Sequence, residues 1–270
     1  MKLAKAFLAF EAAVLIMIIL LSCILVFGDE LYSSMWDKGV VVVLYGSQYG
    51  TGFWVHEEYI VTAAHVVNFR SNVRATVVHG DYQSIAYVIY VDSLHDVAVL
   101  RVEKKPSSTI YIWSLSLKGP EKGQRVFVIG YPFELYKIIG DIGKMSSNPR
   151  ICEGIVAWVY PDKSLFEFSA ATDAGNSGGP IVDSNGNVLG LVSFAMPGKV
   201  TYLFYGTSID AIKAALEKCG VKYRVGLGAL LQVATPKAIL TPTVISAVVA
   251  GGIALVISLM VIGMKRGRRR

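Results

Sequence analysis

The stretch TDAGNSGGP, residues 172–180, sets one serine among three glycines. A serine hydroxyl is a poor nucleophile at neutral pH. It needs an imidazole to take its proton and an acid to hold that imidazole in one tautomer. The chain has four histidines: His56, His65, His79 and His95. His65 stands apart because it follows a β-like run that ends in small residues, YIVTAAHVV (59–67). That pattern leaves little bulk around an imidazole at the end of a strand. Asp96 opens a further strand-like run, DVAVLRV (96–102). His65, Asp96 and Ser177 are therefore the candidate base, orienting acid and nucleophile. His95 neighbours Asp96, but alternation along a strand turns it to the other face. His56 and His79 read as ordinary strand or surface residues. No cysteine or histidine spacing points to a metal, and no cofactor is expected.

The elements that must position these groups read as β. Strand-like runs rich in Val, Ile, Tyr, Phe and Trp recur at 40–45, 52–55, 59–62, 86–91, 96–102, 125–130, 154–160 and 187–195. Asn185-Gly186 predicts a two-residue hairpin turn. One helical stretch stands out, SIDAIKAALEK (208–218), with Ile209, Ile212, Ala215 and Leu216 on one face and Ser208 as its N-cap. Many short strands with few helices predict an antiparallel barrel or sandwich. The polar, proline-containing stretch 103–123 divides the β region in two, as a linker between two small barrels would.

In one consistent order, GTGFWV, TAAHVV, DVAVLRV, GNSGGP and GLVSF resemble the chymotrypsin-fold serine proteases, and among them the HtrA/Deg branch. The resemblance covers roughly residues 38–219. It implies an all-β fold, a double six-stranded antiparallel β-barrel with a C-terminal helix. It implies His65 as general base and then acid, Asp96 as its orienting partner, and Ser177 as the residue acylated. The backbone N–H groups of Gly175 and Ser177 would form the oxyanion hole. Gly178 and Gly179 would let the chain turn sharply behind the nucleophile. Asn176 stands where digestive members carry an aspartate that pairs with a newly cut N-terminus, so activation by cleavage near Val40 is not expected. The resemblance places Ala171, Ser193, Phe194 and Ala195 around the specificity pocket. No acid stands at those positions, so the expected residue on the acyl side of the cut is small or medium and apolar. HtrA-type proteins usually continue into a PDZ domain. Here residues 224–228, RVGLG, give only a faint likeness to the start of one.

Residues 6–28 form an apolar run interrupted only by Glu11, and residues 243–264 carry no charge. Each is long enough to span a bilayer as a helix. Lys2 and Lys5 precede the first, and KRGRRR follows the second, which predicts two spans with both termini cytoplasmic. The first lacks a small-residue cleavage site and reads as an uncleaved anchor. The expected order is a signal-anchor (1–28), a trypsin-like serine protease domain (29–221), a juxtamembrane segment (222–242), a span (243–264) and a basic tail (265–270). Residues 222–241 fit a linker, an extra strand or an interfacial segment equally. Seven of the 26 basic residues lie at the two ends; the other 19 are balanced by 19 of the 20 acids, Glu11 aside. The net charge of +6 therefore belongs to the ends and marks no nucleic-acid face. Expected partners are polypeptide substrates and the lipid bilayer, with homo-oligomerisation left open. The expected function is a membrane-anchored, extracytoplasmic endopeptidase in protein quality control or processing. The alternative is an inactive, chaperone-like binder. Cys152 and Cys219 could pair in an oxidising exterior.

Overall fold

Four successive valines, Val40–Val43, are fully buried, because β1 (Val40–Tyr45) has one face in a barrel and the other covered by neighbouring elements. The structure, a computed structural model, describes Val14, residues 35–199 and residues 202–226. The two apolar segments (Val14 apart), the chain beyond Gly226 and the basic tail lie outside the described residues. Among the described residues no helix is long and apolar enough to cross a membrane.

β1 is joined by β2 (Gln48–His56), β3 (Tyr59–Thr62), β4 (Arg74–His79), β5 (Tyr82–Asp92) and β6 (Val97–Val102). They close antiparallel in the order β1-β2-β3-β6-β5-β4. The stretch 103–123 follows. It is more than a linker: it contains β7 (Ser114–Ser116), and Trp113 is fully buried with its indole N–H donating to the Gly39 carbonyl at 2.9 Å.

The second half contains β8 (Arg125–Gly130), β9 (Arg150–Tyr160), β10 (Leu165–Phe168), β11 (Pro180–Val182), β12 (Asn187–Pro197) and β13 (Tyr202–Ser208). Pairings run β8-β9-β10-β13-β12-β11, and β11 returns to β8, so six strands again close a ring. β7 extends this sheet in parallel with β12, and β14 (Arg224–Gly226) adds in parallel to β7. Of the readings open for 222–241, residues 224–226 take the strand, so the β unit runs past residue 221. Two short helices, α1 (Phe133–Ile139) and α2 (Ile142–Ser146), lie between β8 and β9.

The C-terminal helix, α3 (Ile209–Lys218), buries Ile209, Ile212, Ala215 and Leu216 as its spacing requires. Ser208 occupies the N-cap position, but its side chain makes no capping hydrogen bond. The Asn185-Gly186 turn is longer than expected. Gly186 N–H donates to the Asp183 carbonyl, and Asp183 N–H to that of Asn187. This is a three-residue loop closed by Gly186 at φ 74°. Asp183 fixes it by accepting from the backbone N–H groups of Asn185 and Asn187.

Candidate active site

β3 ends at Thr62, and the chain then makes a short 3-10 helix, Ala64–Val67, that carries His65. Ala63 and Ala64 are fully buried, so their small size seats this turn against the barrel end. Asp96 closes the β5–β6 loop in a left-handed conformation, φ 57°, which aspartate tolerates better than most residues. Its carboxylate is held from three directions. Oδ1 accepts from His65 N–H at 2.9 Å, Oδ2 lies 2.9 Å from His65 Nδ1, and Oδ2 also accepts from the Ser193 hydroxyl. The Asp96 carbonyl accepts from Ala64 N–H at 3.2 Å. This geometry makes Nδ1 the protonated nitrogen and leaves Nε2 free to accept.

Ser177 lies on a turn between the barrels. Gly175 and Gly178 have φ of 96° and 83°. A Cβ on Gly178 would fall 2.3 Å from the Thr51 carbonyl oxygen and 2.6 Å from Ala63 N, so only glycine fits. Gly178 N–H donates to Val192, Gly179 N–H to Asn176, and Val192 N–H back to Gly179. Neither Gly175 N–H nor Ser177 N–H donates to another group among the described residues. Ser177 Oγ likewise makes no hydrogen bond among them. Asn176 is buried, and a Cβ on Gly130 would lie 2.8 Å from its Oδ1.

One threonine ties this turn to the first barrel. Thr51 on β2 is fully buried. Its hydroxyl donates to the Gly175 carbonyl at 2.7 Å and accepts from Tyr131 N–H at 3.1 Å. Its N–H donates to the Ser177 carbonyl at 2.9 Å, and its own carbonyl accepts from the Thr62 hydroxyl at 2.7 Å. Sequence reasoning quoted Thr51 within GTGFWV but gave it no role. Tyr49 also braces the turn, its hydroxyl donating to the Tyr131 carbonyl. Burial, and then the Asp173 carboxylate, push the Tyr49 phenol far above its ordinary range.

His65, Asp96, Ser177 and Ser193 line one cleft of about 800 Å³. A second cavity of about 380 Å³ shares Ser177, Ser193 and Phe194 with it and adds Ala195. Ala171 is not in that lining; its carbonyl accepts from Arg150 Nη2 at 3.3 Å. Thr172 and Asp173 line the cavity, together with Tyr202 and Phe204. An acid therefore does stand at its wall, against the expectation from Ala171 and 193–195 alone. Asp173 opens a turn in which Asn176 N–H donates to its carbonyl, and strand spacing does not reveal that this segment lines the cavity. Cys152 and Cys219 are both free; Cys152 Sγ accepts from Arg150 Nε at 2.9 Å.

Two closed six-stranded barrels with a His–Asp pair and a glycine-bound serine at their seam define the class of chymotrypsin-like serine peptidases. Comparison with known proteins gives the same class. The pattern of the trypsin-like peptidase domain matches residues 50–191, more than half of the chain, and the chain belongs to that family. It is similar to the serine protease Rv3671c of Mycobacterium tuberculosis, 32% identical over 192 residues, covering 68% of this chain and 45% of the relative. It is also similar to the mitochondrial serine protease HTRA2 of Bos taurus, 35% identical over 159 residues, covering 55% and 33% of the two chains. The chain thus spans less than half the length of these relatives. Among solved structures, the active form of the M. tuberculosis Rv3671c protease superposes with a TM-score of 0.56 at 25% identity, covering 75% of this chain and 89% of that one.

Proposed function

We propose that the chain is a membrane-anchored serine endopeptidase that acts through an acyl-enzyme. The observation that carries this reading is the His65 Nδ1–Asp96 Oδ2 pair, 2.9 Å apart, in the cleft that also holds Ser177. In the reaction, Ser177 Oγ attacks the scissile carbonyl as His65 Nε2 takes its proton. Asp96 holds the imidazole and stabilises the imidazolium that forms. The carbonyl oxygen becomes an oxyanion facing the unspent N–H groups of Gly175 and Ser177. One such donor is worth on the order of 100-fold in rate. The imidazolium then gives its proton to the leaving amine. Water, deprotonated by His65, hydrolyses the ester and restores Ser177.

The apolar segments 6–28 and 243–264, with basic residues on their outer flanks, support two spans, cytoplasmic termini and an extracytoplasmic domain. The names of the relatives support an HtrA-like serine protease; its proposed role is quality control or processing of polypeptides. One observation favours a second reading, a membrane-anchored binder without turnover: Ser177 Oγ makes no hydrogen bond among the described residues. Catalytic hydrogen bonds often tighten only with substrate bound, so the enzyme reading is preferred. A fluorophosphonate probe decides between them. Labelling of the full-length chain in detergent, lost in Ser177→Ala and His65→Ala, is expected; a folded chain that stays unlabelled is a binder.

A further inference from the structure

The chain enters and leaves the described β unit on one face. Met35, ahead of β1, and Arg224, on β14, line the same cavity of about 540 Å³. Six residues separate Met35 from Gly28, where the first apolar run ends. Seven peptide steps reach at most about 25 Å. With that run in a bilayer, this face stays within reach of the lipid, whatever path those residues take.

The first barrel sets this face at the end away from the catalytic pair. β3 leads through Thr62 to His65, and β6 starts beside Asp96. The two strands are antiparallel, with Thr62 opposite Ala98 and Tyr59 opposite Arg101. His65 and Asp96 therefore stand at one end of both strands. Glu57 and Glu58, before β3, and Lys105, after β6, stand at the other, and Glu57 and Lys105 line the cavity. Six residues of β6 place about 20 Å between the two ends.

A second cavity, of about 340 Å³, adjoins the first through Glu57, Ile112 and Arg224 and adds Lys222. Lys105, Lys222 and Arg224 stand on the two linings against one acid, Glu57. Lys105 is already engaged, 2.8 Å from Glu58 and 3.6 Å from Glu57. Lys222 and Arg224 are exposed and make no ion pair among the described residues. Around them lie apolar groups: Met35 is 43% exposed, and Pro106, Ile110 and Ile112 are half-buried. Apolar carbon beside unpaired cations suits a headgroup layer. The carbon enters the acyl boundary while the ammonium and guanidinium groups stay at the phosphates. Each cation held near an anionic surface favours docking about fivefold. Resting on the membrane-anchored reading above, we propose that this face docks on the lipid headgroups of the bilayer that holds the chain, with Lys222 and Arg224 on lipid phosphate. The catalytic cleft then stands about a strand's length off the lipid, and the bonds it cuts lie in chain outside the bilayer.

The test uses the full-length chain, in detergent and in nanodiscs of equal parts phosphatidylcholine and phosphatidylglycerol. An uncharged acetylating ester marks lysines, and mass spectrometry gives the rate at each. Lys163, which lines the catalytic cleft, serves as the internal reference. Relative to Lys163, Lys105 and Lys222 are expected to react on the order of 10-fold slower in nanodiscs than in detergent. In the double variant Lys222→Glu, Arg224→Glu the Lys105 ratio in nanodiscs is expected to return toward its detergent value. Both residues are exposed, and an unchanged Tm checks the fold. Equal wild-type ratios in nanodiscs and detergent, or a nanodisc ratio that the double variant leaves unchanged, overturn this inference. With the chain still carried by the discs through size exclusion, either result leaves the membrane-anchored reading standing. A chain that does not enter the discs overturns both.

Discussion

The two barrels are built from the same number of strands but hold different kinds of group. The first is packed mostly with aliphatic residues, Val41, Val43, Val61, Val77, Val88, Val99 and Leu100 among them, and carries the His65–Asp96 pair. The second centres on Phe166 and Phe168 with Val126, Val128 and Ile181. It carries the Ser177 turn and a hairpin with exposed Phe194, Met196, Tyr202 and Leu203. The first barrel thus fixes a hydrogen-bonded His–Asp pair on a closed frame. The second leaves apolar side chains exposed along its β12–β13 hairpin. Thr51 joins them, so the Ser177 turn is held by hydrogen bonds that originate in the other barrel.

The largest expected effect lies on the first barrel. Asp96→Asn keeps a residue suited to φ 57° but holds the imidazole in the wrong tautomer, so kcat on a peptide substrate should fall by about 10⁴-fold. An unchanged Tm checks that the fold is intact. A fall of less than tenfold would show that the acid is not an orienting partner.

At the seam, Gly178→Ala should destabilise by about 3 kcal/mol or more, since its Cβ would meet two backbone atoms of the first barrel at an already left-handed φ. Gly123→Ala, with φ 81° but nothing within 4 Å, should cost only about 1–2 kcal/mol. Urea midpoints compare the two. Equal losses would mean that conformation alone, and not contact between barrels, reserves position 178 for glycine.

Thr51→Val leaves the Gly175 carbonyl and Tyr131 N–H without their partner, and about 2–3 kcal/mol of stability should go with them. Thr62→Val removes a single hydrogen bond, to the Thr51 carbonyl, and should cost about 1 kcal/mol. Fluorophosphonate labelling should slow more in Thr51→Val, because only that change frees the Gly175 carbonyl in the turn that leads to Ser177.

The smallest effect concerns pH. Burial holds the His79 imidazole on β4 below its ordinary 6.5. The unfolded chain then binds more protons than the folded one below 6.5, so stability present above that value is lost as pH falls toward the folded value. The Tm of His79→Gln should therefore drop less than that of the wild type between pH of about 7.5 and about 5.5. A parallel drop in both would place the acid-sensitive group elsewhere.

Much of the site was legible because its chemistry demands residue types in order. A β run followed by Ala63 and Ala64 before His65, an aspartate just ahead of β6, and glycines on both sides of Ser177 are local patterns, and the strands at 40–45, 59–62 and 125–130 follow from β-branched runs with sharp ends. β4 (RATVVH), β10 (LFEF) and β13 (YLFYGTS) were passed over, because without a strict apolar alternation they look like connecting chain. β7 and β14 are three residues each and gain their form only from parallel neighbours.

By itself the sequence determined the candidate triad, the all-β class and the glycines that the Ser177 turn needs, since each rests on the conformational or chemical limits of a single residue type. Only the tertiary structure decided that Thr51 holds Gly175, that Ser193 donates to Asp96, that Asp173 rather than Ala171 reaches the smaller cavity, and that Leu94 and Phe69 meet over one cleft. Thr51 and Gly175 lie 124 positions apart, Asp96 and Ser193 97, and Phe69 and Leu94 25. Hydrogen bonds and cavities between such residues exist only once both barrels have closed and met, and no local pattern encodes them.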